Sequence, residues 1–166
     1  MGRLKPDYYY ETVYDIRYDE LWQNEIRGLI FDIDNTLAPY ADNQPSAKAA
    51  ALIKRLQRIG FKVVLLTNNT NKRLDLFTKP LGLSGFANAA KPLSRGVRKA
   101  MTEMGTKRGY TAIIGDQLLT DIWAGKRAGL KTVLVKPISN KDFLFVRLKR
   151  MFEGWLLRRY YGDVQP

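Results

Sequence analysis

Five short apolar runs alternate along this chain with segments of helical period, and that alternation does most to narrow its possible folds. GLIFDID (28–34), FKVVLLT (61–67), TAIIG (111–115) and KTVLV (131–135) read as buried strands, and FANAA (86–90) as a weaker one. Between the first two, SAKAAALIKRLQRIG places Ala49, Leu52, Ile53 and Leu56 on one helical face, with Ser46 as N-cap and Gly60 as the stop. TNKRLDLFTK reads as a short helix ended by Pro80, and residues 92–104 as a helix with Leu93, Val97, Ala100, Met101 and Met104 on one face. LLTDIWAGKRAG reads as the last helix. Near-continuous apolar strands separated by helices predict an α/β domain with a Rossmann-like parallel sheet of about five strands and helices on both faces. Ligands of such sheets sit outside the carboxyl ends of the strands.

The chain of 166 residues has no cysteine and no histidine. Disulfides, thiolate catalysis, zinc–thiolate sites, imidazole bases and Ser-His-Asp triads are thereby excluded together. Acid–base and metal chemistry must rest mainly on carboxylates, which suit hard cations such as magnesium. The net charge of +12 favours an anionic partner: a phosphorylated substrate, an acidic lipid surface or nucleic acid.

The residues that follow the strands form a set. Asp32-Ile33-Asp34-Asn35-Thr36 ends the first run, Thr67-Asn68-Asn69 the second, Lys91-Pro92 the third, and Gly115-Asp116, with Asp121 five residues on, the fourth. Parallel strands would bring all four clusters to one rim. On an extended strand Asp32 and Asp34 would share a side and repel each other unless a cation or a proton intervenes. A divalent ion bound by Asp32 and closed in by Asp116 resolves that repulsion. So does a proton on Asp34, available to a leaving-group oxygen. Taken singly the segments have plainer readings: a turn at Asp34-Asn35 with Thr36 as a helix cap, a loop at Thr67-Asn68-Asn69, a surface lysine at Lys91, an acidic group near a helix start at Asp121.

In order and spacing, these clusters resemble the four motifs of the haloacid dehalogenase superfamily. DIDNT is similar to the first, Thr67 to the second, Lys91 to the third, and Gly115-Asp116 with Asp121 to the fourth. Leu4–Pro6, GLIFDIDNTL, LLTNN, AAKP and IIGDQLLTDIWAG also resemble the capless YqeG-like phosphatases, which are related to phosphatidylglycerophosphate phosphatases. The resemblance implies a magnesium-dependent phosphatase. Asp32 would be the nucleophile, forming an aspartyl-phosphate, and Asp34 the acid and then the base. Magnesium would be held by Asp32, the Asp34 backbone carbonyl and Asp116, with Asp121 and Thr36 supporting them. Thr67, Asn68 and the amides near Asn35 would bind phosphoryl oxygens, and Lys91 would offset the charge where nucleophile and phosphate meet.

Three segments are expected: a tyrosine-rich arm packed on the domain (1–27), the catalytic domain (28–135) and a basic amphipathic extension (136–166). Only Ala38–Pro45 follows the first motif, and almost nothing separates FANAA from Lys91. Neither gap holds a cap domain, so the site is expected to be open unless a neighbouring subunit covers it through oligomerisation. An open site suits a large or membrane-bound phosphorylated substrate, and the resemblance to the phosphatidylglycerophosphate phosphatases implies that it is an anionic phospholipid, phosphatidylglycerophosphate. Residues 136–161 carry seven Lys or Arg against Asp142 and Glu153, interleaved with apolar side chains, as in helices that lie on anionic membranes. The N-terminus shows no signal peptide, and the expected location is cytoplasmic, peripheral on the inner membrane face. Two alternatives stand: a phosphatase acting on nucleic-acid ends, and a phosphate-binding or scaffolding module without turnover.

Overall fold

The computed structural model describes residues 4–139, together with 154 and 158. Its centre is a six-stranded, all-parallel sheet in the order β1-β6-β5-β2-β3-β4. The strands are β1 (Tyr8–Tyr10), β2 (Gly28–Phe31), β3 (Lys62–Leu66), β4 (Ser84–Phe86), β5 (Thr111–Gly115) and β6 (Lys131–Val135). The helices are α1 (Tyr18–Gln23), α2 (Ala47–Ile59), α3 (Asn71–Leu81), α4 (Arg95–Met104) and α5 (Trp123–Ala128), the last preceded by a π-turn at Leu118–Ile122.

The period-two alternation of β2 shows how the layers are built. Leu29 and Phe31 face a core formed with Leu21 of α1, Leu52, Ile53 and Leu56 of α2, and Leu74 and Phe77 of α3. Ile30 faces the opposite core, with Val97, Ala100 and Met101 of α4 and Ala124 and Ala128 of α5. Ser46 accepts from the Ala49 amide to start α2, and left-handed Gly60 ends it, as its sequence predicts.

Other expectations need correction. The sheet has six strands because Tyr8–Tyr10, placed by sequence in an arm, pairs in parallel with β6. The third run of the sheet is Ser84–Phe86, not FANAA. Asn88 and Ala90 take left-handed backbone angles, which a strand does not allow. Helix α3 runs past Pro80, and left-handed Gly82 ends it. Helix α4 starts at Arg95, so Leu93 lies outside its apolar face and is exposed. Beyond residue 139 the basic extension, apart from residues 154 and 158, lies outside the described residues. Among those described, no helix is long and apolar enough to cross a membrane, and no cap domain interrupts either connection.

Candidate active site

From β2 the chain moves first to β3 and β4 on one side, then returns to β5 and β6 on the other. The order reverses between β2 and β5, which is where open α/β sheets hold their ligands. The Asp32 amide donates to the Ile114 carbonyl at 2.9 Å, so Asp32 and Asp116 leave adjacent strands side by side.

Lys91 reaches this crevice from the loop after β4. Its Nζ donates to Asp32 Oδ1 at 2.6 Å, to Asp121 Oδ1 at 2.6 Å and to the Leu66 carbonyl at 3.0 Å. Asn68 fixes the lysine's backbone. Its Oδ1 accepts from the Lys91 amide at 2.8 Å, and its Nδ2 donates to the Lys91 carbonyl at 3.1 Å. Asp121 is held by the π-turn and accepts from the Gln117 amide at 3.1 Å. A side chain at position 115 would put a Cβ 2.4 Å from Asp121 Cγ, so the glycine there makes room for the carboxylate.

Asp32, Asp116 and Asp121 are all buried, and one carboxylate oxygen from each lies within 4.8 Å of the others. Oxygen donors at about 2.0–2.6 Å from a single divalent cation fit that span, and with Lys91 charged the group keeps an excess of negative charge. The donor set therefore suits a hard cation. Burial pushes the Asp32 carboxyl up to about 7, against the opposing pull of Lys91 and with the help of Asp121 and Asp34. Burial alone would lower Lys91, but Asp121 and Asp32 outweigh it and hold the ammonium charged above the usual lysine range.

Asp34 is placed differently from its neighbour. Strand β2 stops at Phe31, and a turn closed by the Asn35 amide on the Ala38 carbonyl sets the next residues, with Asn35 at φ 62°. The Asp34 carboxylate accepts from Arg73 Nε at 2.9 Å and from Asn69 Nδ2 at 3.2 Å. The rest of the buried Arg73 guanidinium donates to the Pro39 carbonyl at 3.2 Å and to the Asp42 carbonyl, and lies 4.7 Å from the centre of the Phe77 ring. Thr36 donates to Asp116 Oδ1 at 3.3 Å, and buried Thr67 accepts from the Asn69 amide at 3.0 Å. All the residues singled out from sequence thus meet at one rim. The third carboxylate beside Asp32 and Asp116 comes from Asp121, whereas the Asp34 side chain turns to Arg73. Sequence reasoning missed Arg73 and the role of Asn69. The available signal was a basic pair, Lys72-Arg73, in a helix's first turn, where acids are favoured.

Residues 39–129 match the haloacid dehalogenase-like hydrolase family. The chain belongs to the haloacid dehalogenase-like hydrolases. It is 32% identical over 152 residues to the probable phosphatase YqeG of Bacillus subtilis, covering 92% of this chain and 88% of that one. It is 31% identical over 151 residues to the chloroplastic phosphatidylglycerophosphate phosphatase 1 of Chlamydomonas reinhardtii, covering 84% of this chain but 56% of that longer protein. The solved structure of the cobalt-bound deoxy-D-mannose-octulosonate 8-phosphate phosphatase YrbI from Haemophilus influenzae shares the fold. Its TM-score is 0.52 at 18% identity, over 85% of this chain and 95% of that one. This haloacid dehalogenase-like hydrolase is a phosphatase, and phosphatases of the family generally use a divalent metal.

Proposed function

We propose that this phosphatase cleaves a phosphomonoester through an aspartyl-phosphate on Asp32, with magnesium as its cation and phosphatidylglycerophosphate as its substrate at the inner face of a membrane. The observation that carries the reading is Asp32 itself: a buried carboxylate at the switch point, oriented by Lys91 through one oxygen and flanked by Asp116 and Asp121. An Asp32 oxygen attacks phosphorus as the ester P–O bond breaks, and the leaving oxygen takes a proton from Asp34. Water then attacks the phosphoryl group, Asp34 takes the water's proton, and the acyl-phosphate bond breaks to return Asp32 and inorganic phosphate. Asp34 reaches those oxygens by letting go of Arg73. Asp32 and Asp116, with the Asp34 backbone carbonyl, are the proposed magnesium ligands, and the cation supplies positive charge against phosphoryl oxygens. Thr67 and the amides beyond Asp34 are the proposed phosphate contacts. A site with no inserted cap among the described residues suits a large substrate, and the similarity to a phosphatidylglycerophosphate phosphatase supports the lipid.

The test is phosphate release, with and without magnesium, from phosphatidylglycerophosphate, sugar phosphates, nucleotides and phosphorylated DNA ends. The lipid phosphate should be hydrolysed with the highest kcat/KM. Preference for DNA ends would replace this substrate with a nucleic acid. Asp32→Asn should abolish turnover while leaving the thermal transition cooperative, and near-normal activity of that variant would remove Asp32 from the role of nucleophile.

A further inference from the structure

The large apolar side chains exposed among the described residues are not scattered evenly. The three most exposed are Tyr40 (57%), Leu93 (53%) and Ile138 (46%). Each follows the carboxyl end of a strand: Tyr40 after β2, Leu93 after β4, Ile138 after β6. They therefore lie in the connections on the site's side of the sheet: the Tyr40 ring is 5.8 Å from the guanidinium of Arg73, which holds Asp34, and the Ile138 amide donates to the Asn35 carbonyl at 3.0 Å. Single exposed apolar residues are ordinary, but several around one opening mark an interaction surface.

A second observation is electrostatic. Helices α2, α3 and α4 begin at this same rim, where the helix dipole favours acids, yet none has an acid in its first turn. Exposed Lys48, Lys72 and Arg95 stand there instead. Helix α1, by contrast, carries Asp19 and Glu20 in its first turn. A local rule broken at three helix starts around one mouth is the signature of a functional surface. Beside Lys48 and Ile138 lies a groove of about 490 Å³ whose lining also includes Thr36, Lys136, Glu11 and Asp42, with Lys136 paired to Glu11 at 2.6 Å. Thr36 connects it to the acid cluster through Asp116.

We propose that this rim is an interfacial docking surface for an anionic lipid bilayer. Tyr40, Leu93 and Ile138 enter at headgroup level, Lys48, Lys72 and Arg95 meet lipid phosphates, and the mouth of the site opens onto the membrane. Tyr40 suits either a bilayer interface or a stacked base, but Leu93 and Ile138 are aliphatic side chains that fit a bilayer interface. Leu93 and Ile138 offer little to a nucleic-acid strand, which binds through cations and stacked aromatics. The proposal rests on the lipid-phosphate reading for its purpose, yet docking is measurable without any substrate.

The experiment is co-sedimentation of the full chain with phosphatidylcholine vesicles, with and without phosphatidylglycerol, none containing a phosphomonoester. The chain should prefer the anionic vesicles. Lys48→Gln, Lys72→Gln and Arg95→Gln together should weaken that binding on the order of a hundredfold. Leu93→Ser with Ile138→Ser should weaken it about tenfold. Both variants should hydrolyse a soluble aryl phosphate within about twofold of the parent rate. Unchanged vesicle binding in both variants overturns the proposal. So does vesicle binding lost only on changing Arg147, Lys149 and Arg150 to glutamine, or a rim variant that loses DNA binding but not vesicle binding. Parallel loss of aryl phosphatase activity overturns it too, because the rim would then be supporting the site. If docking behaves as expected while phosphatidylglycerophosphate is not hydrolysed, the surface stands and the substrate reading fails.

Discussion

Asp32 sits among groups that pull its proton in opposite directions. Burial and the neighbouring carboxylates hold it on, Lys91 draws it off, and the result is an acid near 7 where an ordinary aspartate is near 3.8. A raised folded-state value means that the folded protein binds the proton more tightly than the unfolded one. The stability this contributes is full below about pH 4 and is lost as the pH rises through about 7. In metal-free protein, the melting temperature of Asp32→Asn should therefore fall less steeply across that window than that of the parent. A divalent cation needs the ionised carboxylate, so magnesium binding below about pH 7 should release protons. Calorimetry in buffers of different ionisation enthalpy measures that release.

Arg73 makes a second residue-scale case. It is buried, and its charge is answered by Asp34 at 2.9 Å and by two loop carbonyls. Arg73→Gln should cost about 3 kcal/mol in stability, because it strands a half-buried carboxylate. It should also lower kcat more than it raises KM, since the residue it displaces is the proposed acid. Lysine at that position should restore the charge but not the fork that spans Asp34 and the loop. An unchanged kcat in Arg73→Gln would separate Arg73 from the chemistry. The DIDNT carboxylates were legible from sequence because they end an apolar run. Arg73 was not, because its partner lies 39 residues away and no periodicity links the two.

At the scale of elements, β5 and the π-turn act as one unit. Gly115 ends the strand, and the turn returns Asp121 against it. Gly115→Ala should push the Asp121 carboxylate out of the trio and away from Lys91, lowering magnesium affinity and activity at least tenfold by the usual cost of disturbing a metal site's supporting groups, about 10–100-fold. Calorimetric titration with magnesium checks it. β1 depends on a different device. Asp7 precedes it, and its Oδ2 accepts from the Thr132 amide, the Thr132 hydroxyl and the Lys126 ammonium, each at 2.8 Å. Burial raises the Asp7 acid, but those donors outweigh burial and hold it below the usual aspartate range. Its stabilisation is therefore present above about pH 4 and lost as the pH falls. Asp7→Asn should speed hydrogen exchange at Tyr8–Tyr10 and cost about 1–2 kcal/mol. The longer strands were legible as apolar runs. β1 was not, because three tyrosines in a row have no alternation and a polar anchor holds them to the sheet. The end of α3 was misread for a related reason: a proline in the last turn removes only one hydrogen bond, so it does not have to stop the helix.

The whole molecule divides its labour between a sheet that collects chemistry at one rim and a surface charge of +12 that gathers anions around it. The fold class was legible because strand–helix alternation admits few topologies. The convergence of four separated clusters followed from parallel pairing alone. How the rim's carboxylates share partners was not legible, since that depends on which side chains meet across 30 to 60 residues of chain. The neighbouring of β1 and β6 has a consequence of its own. Tyr8 pairs with Val133, so about three quarters of the 166 residues separate two adjacent strands. β1 cannot be placed when it is made, because until Val135 has followed it the edge of the sheet that it will cover does not exist. Contacts of such long sequence separation slow folding and leave apolar segments waiting. Closure of this edge of the sheet therefore waits on β6, however early β1 is made.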